Sequence, residues 1–117
     1  MTAIKPSSTN QINRKIVSTK CPVTFTLQRM GGRWKPLVIN QLISGTKRYN
    51  ELRKAVPAVT EKMLIQTLKE LEADGIIIRK AMQAVPPRVE YSLSDQGRDL
   101  RPILFSMVEW GLKYNER

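Results

Sequence analysis

The 117-residue chain contains no histidine and a single cysteine, Cys21. Without histidine, neither a Ser-His-Asp nor a Cys-His nucleophile can be assembled. One thiol and no imidazole leave no Cys/His zinc site within one chain, and no internal disulfide. No stretch fits GxxxxGK[ST] or GxGxxG: the pair Gly31 and Gly32 runs into Arg33, Trp34 and Lys35. No apolar run approaches the roughly 18 residues of a membrane span, and the N-terminus lacks the apolar segment of a signal peptide. These absences point to a cytoplasmic protein that is no enzyme, enters no membrane and calls for no metal or cofactor. Catalysis by carboxylates or lysines is open only formally, because no constellation favours it.

Acid is also scarce. Ten Asp and Glu face 20 Lys and Arg, a net charge of +10 with a pI near 10.2. Such an excess draws in polyanions, of which nucleic acid is the commonest and an anionic membrane surface the next. The remaining composition, 41% hydrophobic and 26% charged, is that of an ordinary globular domain. The length suits one domain with a modest core, which a dimer interface would usefully extend.

Along the chain, residues 1–20 hold Lys5, Arg14, Lys15 and Lys20 with no acid. They read as a flexible basic arm, with a helical turn conceivable near Ile12 to Val17. Residues 21–117 read as the folded domain. "CPVTFTLQRMGG" suits a helix opened by Pro22 and closed by glycine, with Val23, Leu27 and Met30 on one face. "RWKPLVINQLISG" suits a second helix that buries Trp34, Leu37, Val38 and Leu42, with Pro36 in its first turn. In "TKRYNELRKAVPAV", Asn50 is the expected cap of a short helix, and Tyr49 and Val56 are expected to face the core. Thr60 then opens a longer helix. A short helix, a tight turn and a longer helix form the helix-turn-helix pattern.

The longer helix, within "VTEKMLIQTLKELEADG", has two distinct faces. With Leu64 at the origin of the helical wheel, Leu68 and Leu71 fall within about 40° of it, whereas Lys62, Gln66 and Lys69 fall about 140° to 200° away. The outer face therefore carries long donors able to reach base edges or phosphates. An ordinary solvated face remains the alternative on this helix alone. After Gly75, "IIIRKAMQAV" and "VEYSLS" read as strands joined by the turn "PPR", a basic β-hairpin carrying Arg79, Lys80 and Arg88. Ser94 caps a C-terminal helix that Pro102 should kink or split. Its many apolar residues are expected both to close the core and to form a dimer interface anchored by Trp110. The expected fold is mainly α with a small β-hairpin (α+β): a winged helix-turn-helix domain with dimerisation helices at both ends.

The blocks "CPV", "GGRWKPLVINQL", "KRYNELRKAVP", "TEKMLIQTLKELEADGII", "VPPRVEYSLSDQGRDL" and "EWG" cover about residues 20–114 in order. Together they resemble the HxlR-type winged-helix regulators of bacteria, relatives of the MarR type. The resemblance implies a homodimeric transcriptional regulator that binds a palindromic operator in double-stranded DNA, with a recognition helix at about 60–74 and a wing at about 77–93. Carried over residue by residue, it places Thr60, Lys62, Gln66 and Lys69 in the major groove, Lys47 and Arg48 on phosphates, and Arg79, Lys80 and Arg88 on the wing. Pairing through both terminal helices puts Val23, Leu27, Leu104, Met107 and Trp110 in the dimer interface. Repression is the expected outcome, since a dimer on a promoter blocks polymerase without a dedicated contact surface.

Several members of that family sense oxidants or electrophiles through a cysteine matching Cys21. Here the residue precedes a helix start, where the dipole favours a thiolate, beside Lys20. An oxidant would leave a Cys21–Cys21 link between subunits, a sulfenic acid or a mixed disulfide. The competing reading is a small buried apolar residue at a helix start. A small-molecule effector pocket lined by Trp34, Phe25 and Phe105 is a further expectation, with plain core packing as its rival. The alternative to the regulator is a winged-helix protein-interaction module with only non-specific DNA binding.

Overall fold

The computed structural model describes residues 21–115, so the basic arm at residues 1–20 and its conceivable turn lie outside the described residues. The chain forms α1 (Pro22–Met30), α2 (Lys35–Ile43), β1 (Lys47–Arg48), α3 (Tyr49–Ala55), α4 (Glu61–Ala73), β2 (Ile77–Met82), β3 (Arg88–Leu93), the single turn α5 (Asp95–Arg98) and α6 (Arg101–Tyr114). The strands make one antiparallel sheet in the order β1-β3-β2. The architecture is thus mostly helical with a three-stranded sheet, a winged helix-turn-helix.

Proline sets three of the helix starts. Pro22, Pro36 and Pro102 each lie in a first turn, where the missing N–H has no helical partner to lose. Pro102 splits the C-terminal segment rather than kinking it: α5 ends at Arg98, and α6 begins after Leu100. Thr60 caps α4, its hydroxyl accepting the Met63 N–H at 3.1 Å. Ser94 caps α5 in the same way through Gly97, and its hydroxyl also donates to the backbone at Gly75 and Ile76. That bond ties the end of the wing to the end of α4.

The core is assembled around α4. Leu64, Leu68 and Leu71 are buried, as their wheel positions require, and pack with Val38, Ile39 and Leu42 of α2 and Leu52 of α3. Each such side chain contributes about 1.5–3 kcal/mol of transfer free energy. Ile76, Ile77 and Leu93 join the sheet to this cluster, and Val56 is buried as expected. Tyr49 packs against the core, with its hydroxyl buried and unpartnered.

Four expectations change. Lys47 and Arg48, for which no strand was expected, form a short third strand, paired with Tyr91 and Glu90 of β3. Arg48, not Asn50, caps α3, because the Glu51 carboxylate reaches back to the Arg48 N–H at 2.7 Å. Leu37 is 44% exposed rather than buried, and Trp34 is half-buried, preceding α2 instead of lying within it. Leu104, assigned to an interface, is only 4% exposed and belongs to the chain's own core. It points inward because α6 packs on α2 through that edge.

Candidate nucleic-acid interface

The residues expected at the groove are all exposed: Lys62, Gln66 and Lys69 lie on α4 opposite the leucine stripe, and Thr60 stands at its N-cap. The helix is fixed from behind by its buried leucines and at its start by the Thr60 cap. These side chains therefore stand on a rigid element, with the positive end of the helix dipole at Thr60.

The register of the sheet divides the basic residues of the wing. Lys80 pairs with Glu90 and Arg48 pairs with the same Glu90 from the other side. Arg88 also reaches it, its Nε 3.3 Å from Glu90 Oε2. Cross-strand partners share a face, so Arg48, Lys80 and Arg88 lie on the face of the half-buried Glu90, and among the described residues Arg88 alone is ion-paired with it. A cleft of about 410 Å³ opens there, lined by Arg48, Asn50, the turn residues Ala84–Pro87 and Arg88. Arg79 pairs instead with Tyr91 and projects to the opposite face, as side chains alternate along a strand. There it meets Lys69 of α4 across a cleft of about 360 Å³ lined also by Ile65, Leu68, Glu72 and Tyr91. Lys47 lies on that Tyr91 face too, half-buried, its Nζ 3.0 Å from the Ser44 hydroxyl. The wing therefore does not present Arg79, Lys80 and Arg88 as a single patch.

Two acids given no role among the expected site residues, Glu70 and Glu90, bear on this surface. Glu70 accepts a hydrogen bond from Gln66 Nε2 at 2.8 Å and lies 3.2 Å from Lys35 Nζ. The Gln66 bond first, and Lys35 after it, hold the Glu70 carboxyl below the usual carboxylate range. The spacing of four between Gln66 and Glu70 was the available signal. For Glu90 the spacing of two from Arg88 within one strand was the signal, while its cross-strand neighbours Arg48 and Lys80 are set by sheet register.

Cys21 is the N-cap residue of α1 and half-buried, so it is not the sealed apolar residue of the competing reading. Its thiol is lowered below the usual range, chiefly by the Thr24 hydroxyl and then by the backbone of Thr24 and Val23. Of the remaining interface residues, Val23 is 66% exposed, Leu27 56%, Met107 44% and Trp110 68%. Phe25 and Phe105 are exposed rather than core, Phe25 lying under the Arg29 guanidinium at 3.6 Å. The apolar groove between α2 and α6 is lined by Pro36, Leu37, Asn40, Leu104, Met107 and Val108, not by Trp34, Phe25 or Phe105. No cluster of metal-ligating side chains occurs among the described residues. No helix among them is long and apolar enough to cross a membrane.

The family model described as HxlR-like helix-turn-helix matches residues 29–117. The chain belongs to the HxlR-like family. Among its relatives, the HTH-type transcriptional regulator YdeP of Bacillus subtilis is 50% identical over 97 residues, covering 83% of this chain and 76% of that protein. YybR of the same organism is 52% identical over 91 residues, 78% of this chain and 73% of that one. Among solved structures, the oxidised form of the redox regulator HypR is 48% identical with a TM-score of 0.79, covering 83% of this chain and all of that one (100%). The reduced form of the regulator YodB of B. subtilis is 33% identical with a TM-score of 0.71, covering 82% of this chain and 95% of its own. This HxlR-family chain is accordingly a DNA-binding transcriptional regulator of the helix-turn-helix type, and its relatives are regulators rather than enzymes.

Proposed function

We propose that this protein is a cytoplasmic homodimeric repressor that reads a palindromic operator, with α4 in the major groove and the β2–β3 wing alongside. The observation that carries the reading is the exposed row Lys62, Gln66 and Lys69, with Thr60 at the helix start, on a helix whose other face is locked in the core. Arg48, Lys80 and Arg88 supply phosphate contacts beside it, which fix register without reading sequence. The dimer is supported by the exposed apolar side chains of α1 and α6, Val23, Leu27, Met107 and Trp110 among them, which water alone would cover poorly. Leu104 has no part in it. An oxidant effector acting at Cys21 belongs to the same reading: the thiol is accessible, its thiolate is favoured, and HypR is a redox regulator.

The test is fluorescence anisotropy of the reduced protein on DNA from upstream of its own coding region, with excess unrelated DNA, repeated after diamide. Binding that survives competitor supports the specific regulator, and loss or gain after diamide that a Cys21→Ser variant lacks supports the oxidant effector. Binding that competitor abolishes on this and other promoter fragments overturns sequence reading and leaves a protein-interaction module. Sedimentation as a monomer at micromolar concentration would overturn the dimer.

A further inference from the structure

Glu70 is an acid on the outward side of a helix read as facing DNA, in a chain of net charge +10. A bare carboxylate there would repel phosphates. It is not bare. One oxygen, Oε2, accepts from Gln66 Nε2 at 2.8 Å, and the other, Oε1, lies 3.2 Å from Lys35 Nζ. Lys35 Nζ in turn donates to the Gln28 carbonyl at 3.0 Å, and its side chain is only 17% exposed. Three helices thus meet at this point: α1 supplies the carbonyl, α2 the ammonium, and α4 the carboxylate with its glutamine.

The consequence for Gln66 follows from donor and acceptor chemistry. A free glutamine amide presents its oxygen and nitrogen in either of two flipped orientations. An ionised carboxylate can only accept, so facing Glu70 the amide must turn its nitrogen toward it. Glu70 stays ionised at neutral pH, because the Gln66 bond and Lys35 hold its carboxyl low. The amide oxygen is then left outward and unpaired. The nitrogen keeps one hydrogen for Glu70 and one for a ligand. Adenine presents in the major groove an acceptor at N7 and a donor at N6, which one N–H and one C=O match as a pair. Guanine presents two acceptors, N7 and O6, and the fixed amide oxygen would face O6 without a proton between them.

We infer that Glu70, held by Lys35, is a positioning residue for base recognition, fixing the Gln66 amide so that it reads adenine and rejects guanine at one base pair of each half-site. This rests on the proposed DNA-reading function and names a specificity determinant within it. The device does not require the carboxylate to touch DNA. It requires only that Lys35 neutralise it and that α4 keep its place on α2.

The experiment selects from a pool of duplexes with a randomised central region, followed by sequencing, using wild type, Gln66→Ala, Glu70→Gln, Lys35→Met and the Gln66→Ala/Glu70→Gln double variant. Glu70 is exposed, so its amide variant is expected to melt near wild type, and thermal melting of each variant checks this. Wild type should enrich one adenine column per half-site that Gln66→Ala flattens by roughly fivefold to a hundredfold, the discrimination of one bidentate contact. Glu70→Gln and Lys35→Met should weaken the adenine-over-guanine preference in that column alone, and Glu70→Gln should change nothing further in the Gln66→Ala background. Charge removal by itself would shift all duplexes together and leave the columns alone. The inference is overturned if Glu70→Gln leaves the Gln66-dependent column intact, if all columns change equally, or if that column is not adenine. A wild-type pool with no enriched motif would overturn the regulator reading itself, a different failure from an enriched motif indifferent to Glu70.

Discussion

Raising the salt concentration from about 50 to 200 mM should lower the affinity of this protein for its DNA by roughly 10⁴. The magnitude comes from the basic side chains that the fold leaves available. Arg48, Lys62, Lys69, Arg79 and Lys80 are exposed, and among the described residues none of them is ion-paired, whereas Arg88 is engaged by Glu90. If about four of these per subunit meet phosphates, a dimer neutralises about eight, and a slope near −0.9 per contact gives about −7 in log affinity against log salt. Fluorescence anisotropy across a chloride series at constant pH measures that slope directly. Lys80→Ala removes one contact per subunit and should reduce the slope by about 2, while lowering affinity for specific and unrelated duplexes alike. A wild-type slope shallower than about −3, or a Lys80→Ala slope equal to wild type, would refute the placement of the wing beside the backbone.

Three further outcomes follow from the same structure. Thr60→Ala removes the acceptor for the Met63 N–H and should cost about 1 kcal/mol, a fall of about 4–8 °C in melting temperature; an unchanged melt would show that the cap does not hold the start of α4. Gly97→Ala should destabilise by about 1–3 kcal/mol in urea unfolding, because a methyl group there would collide with the Ile76 carbonyl oxygen and press on Leu93 Cδ2 at 3.1 Å. Alkylation of Cys21 by iodoacetamide should reach half its maximal rate at a lower pH than for an unstructured cysteine peptide, since a lowered thiol is ionised earlier, and Thr24→Val should move that midpoint back up.

Much of this arrangement was legible because α4 obeys one period. Its leucines recur on one stripe, so burial and the outward row both followed from the wheel, and the cap at Thr60 marked where the helix begins. The hairpin was legible from alternation in "VEYSLS" and the prolines of its turn. What escaped was long-range. The two-residue strand at Lys47 and Arg48 has no periodicity of its own and exists only because β3 lies beside it. Its pairing decides that Arg48 lies opposite Glu90, whereas the parting of Arg79 and Lys80 needs only the alternation of side chains along β2 and was open to the sequence. Leu104 was misplaced for a related reason. An apolar helix offers several faces, and sequence alone does not say which one α2 covers.

The acids of the basic face argue against reading charge by simple sum. Glu90 lies between Arg48 and Lys80 in the sheet and within 3.3 Å of Arg88, and Glu70 lies between Gln66 and Lys35. Scattered acids would weaken attraction to phosphates and give nothing back. An acid seated among donors does something else: it restricts long, flexible side chains that would otherwise lose rotamer freedom on binding. Its own charge is offset locally, so the field seen by a distant duplex remains that of the surplus cations. At Glu90 the restricted group is the Arg88 guanidinium, a fork that need only reach a phosphate. At Glu70 the restricted group is an amide whose two ends differ, and there restriction selects between bases. The same chemistry thus steadies affinity on the wing and sharpens choice on the helix, which is why the two carboxylates should separate in their mutants: Glu90→Gln acting on every duplex, Glu70→Gln on one base pair.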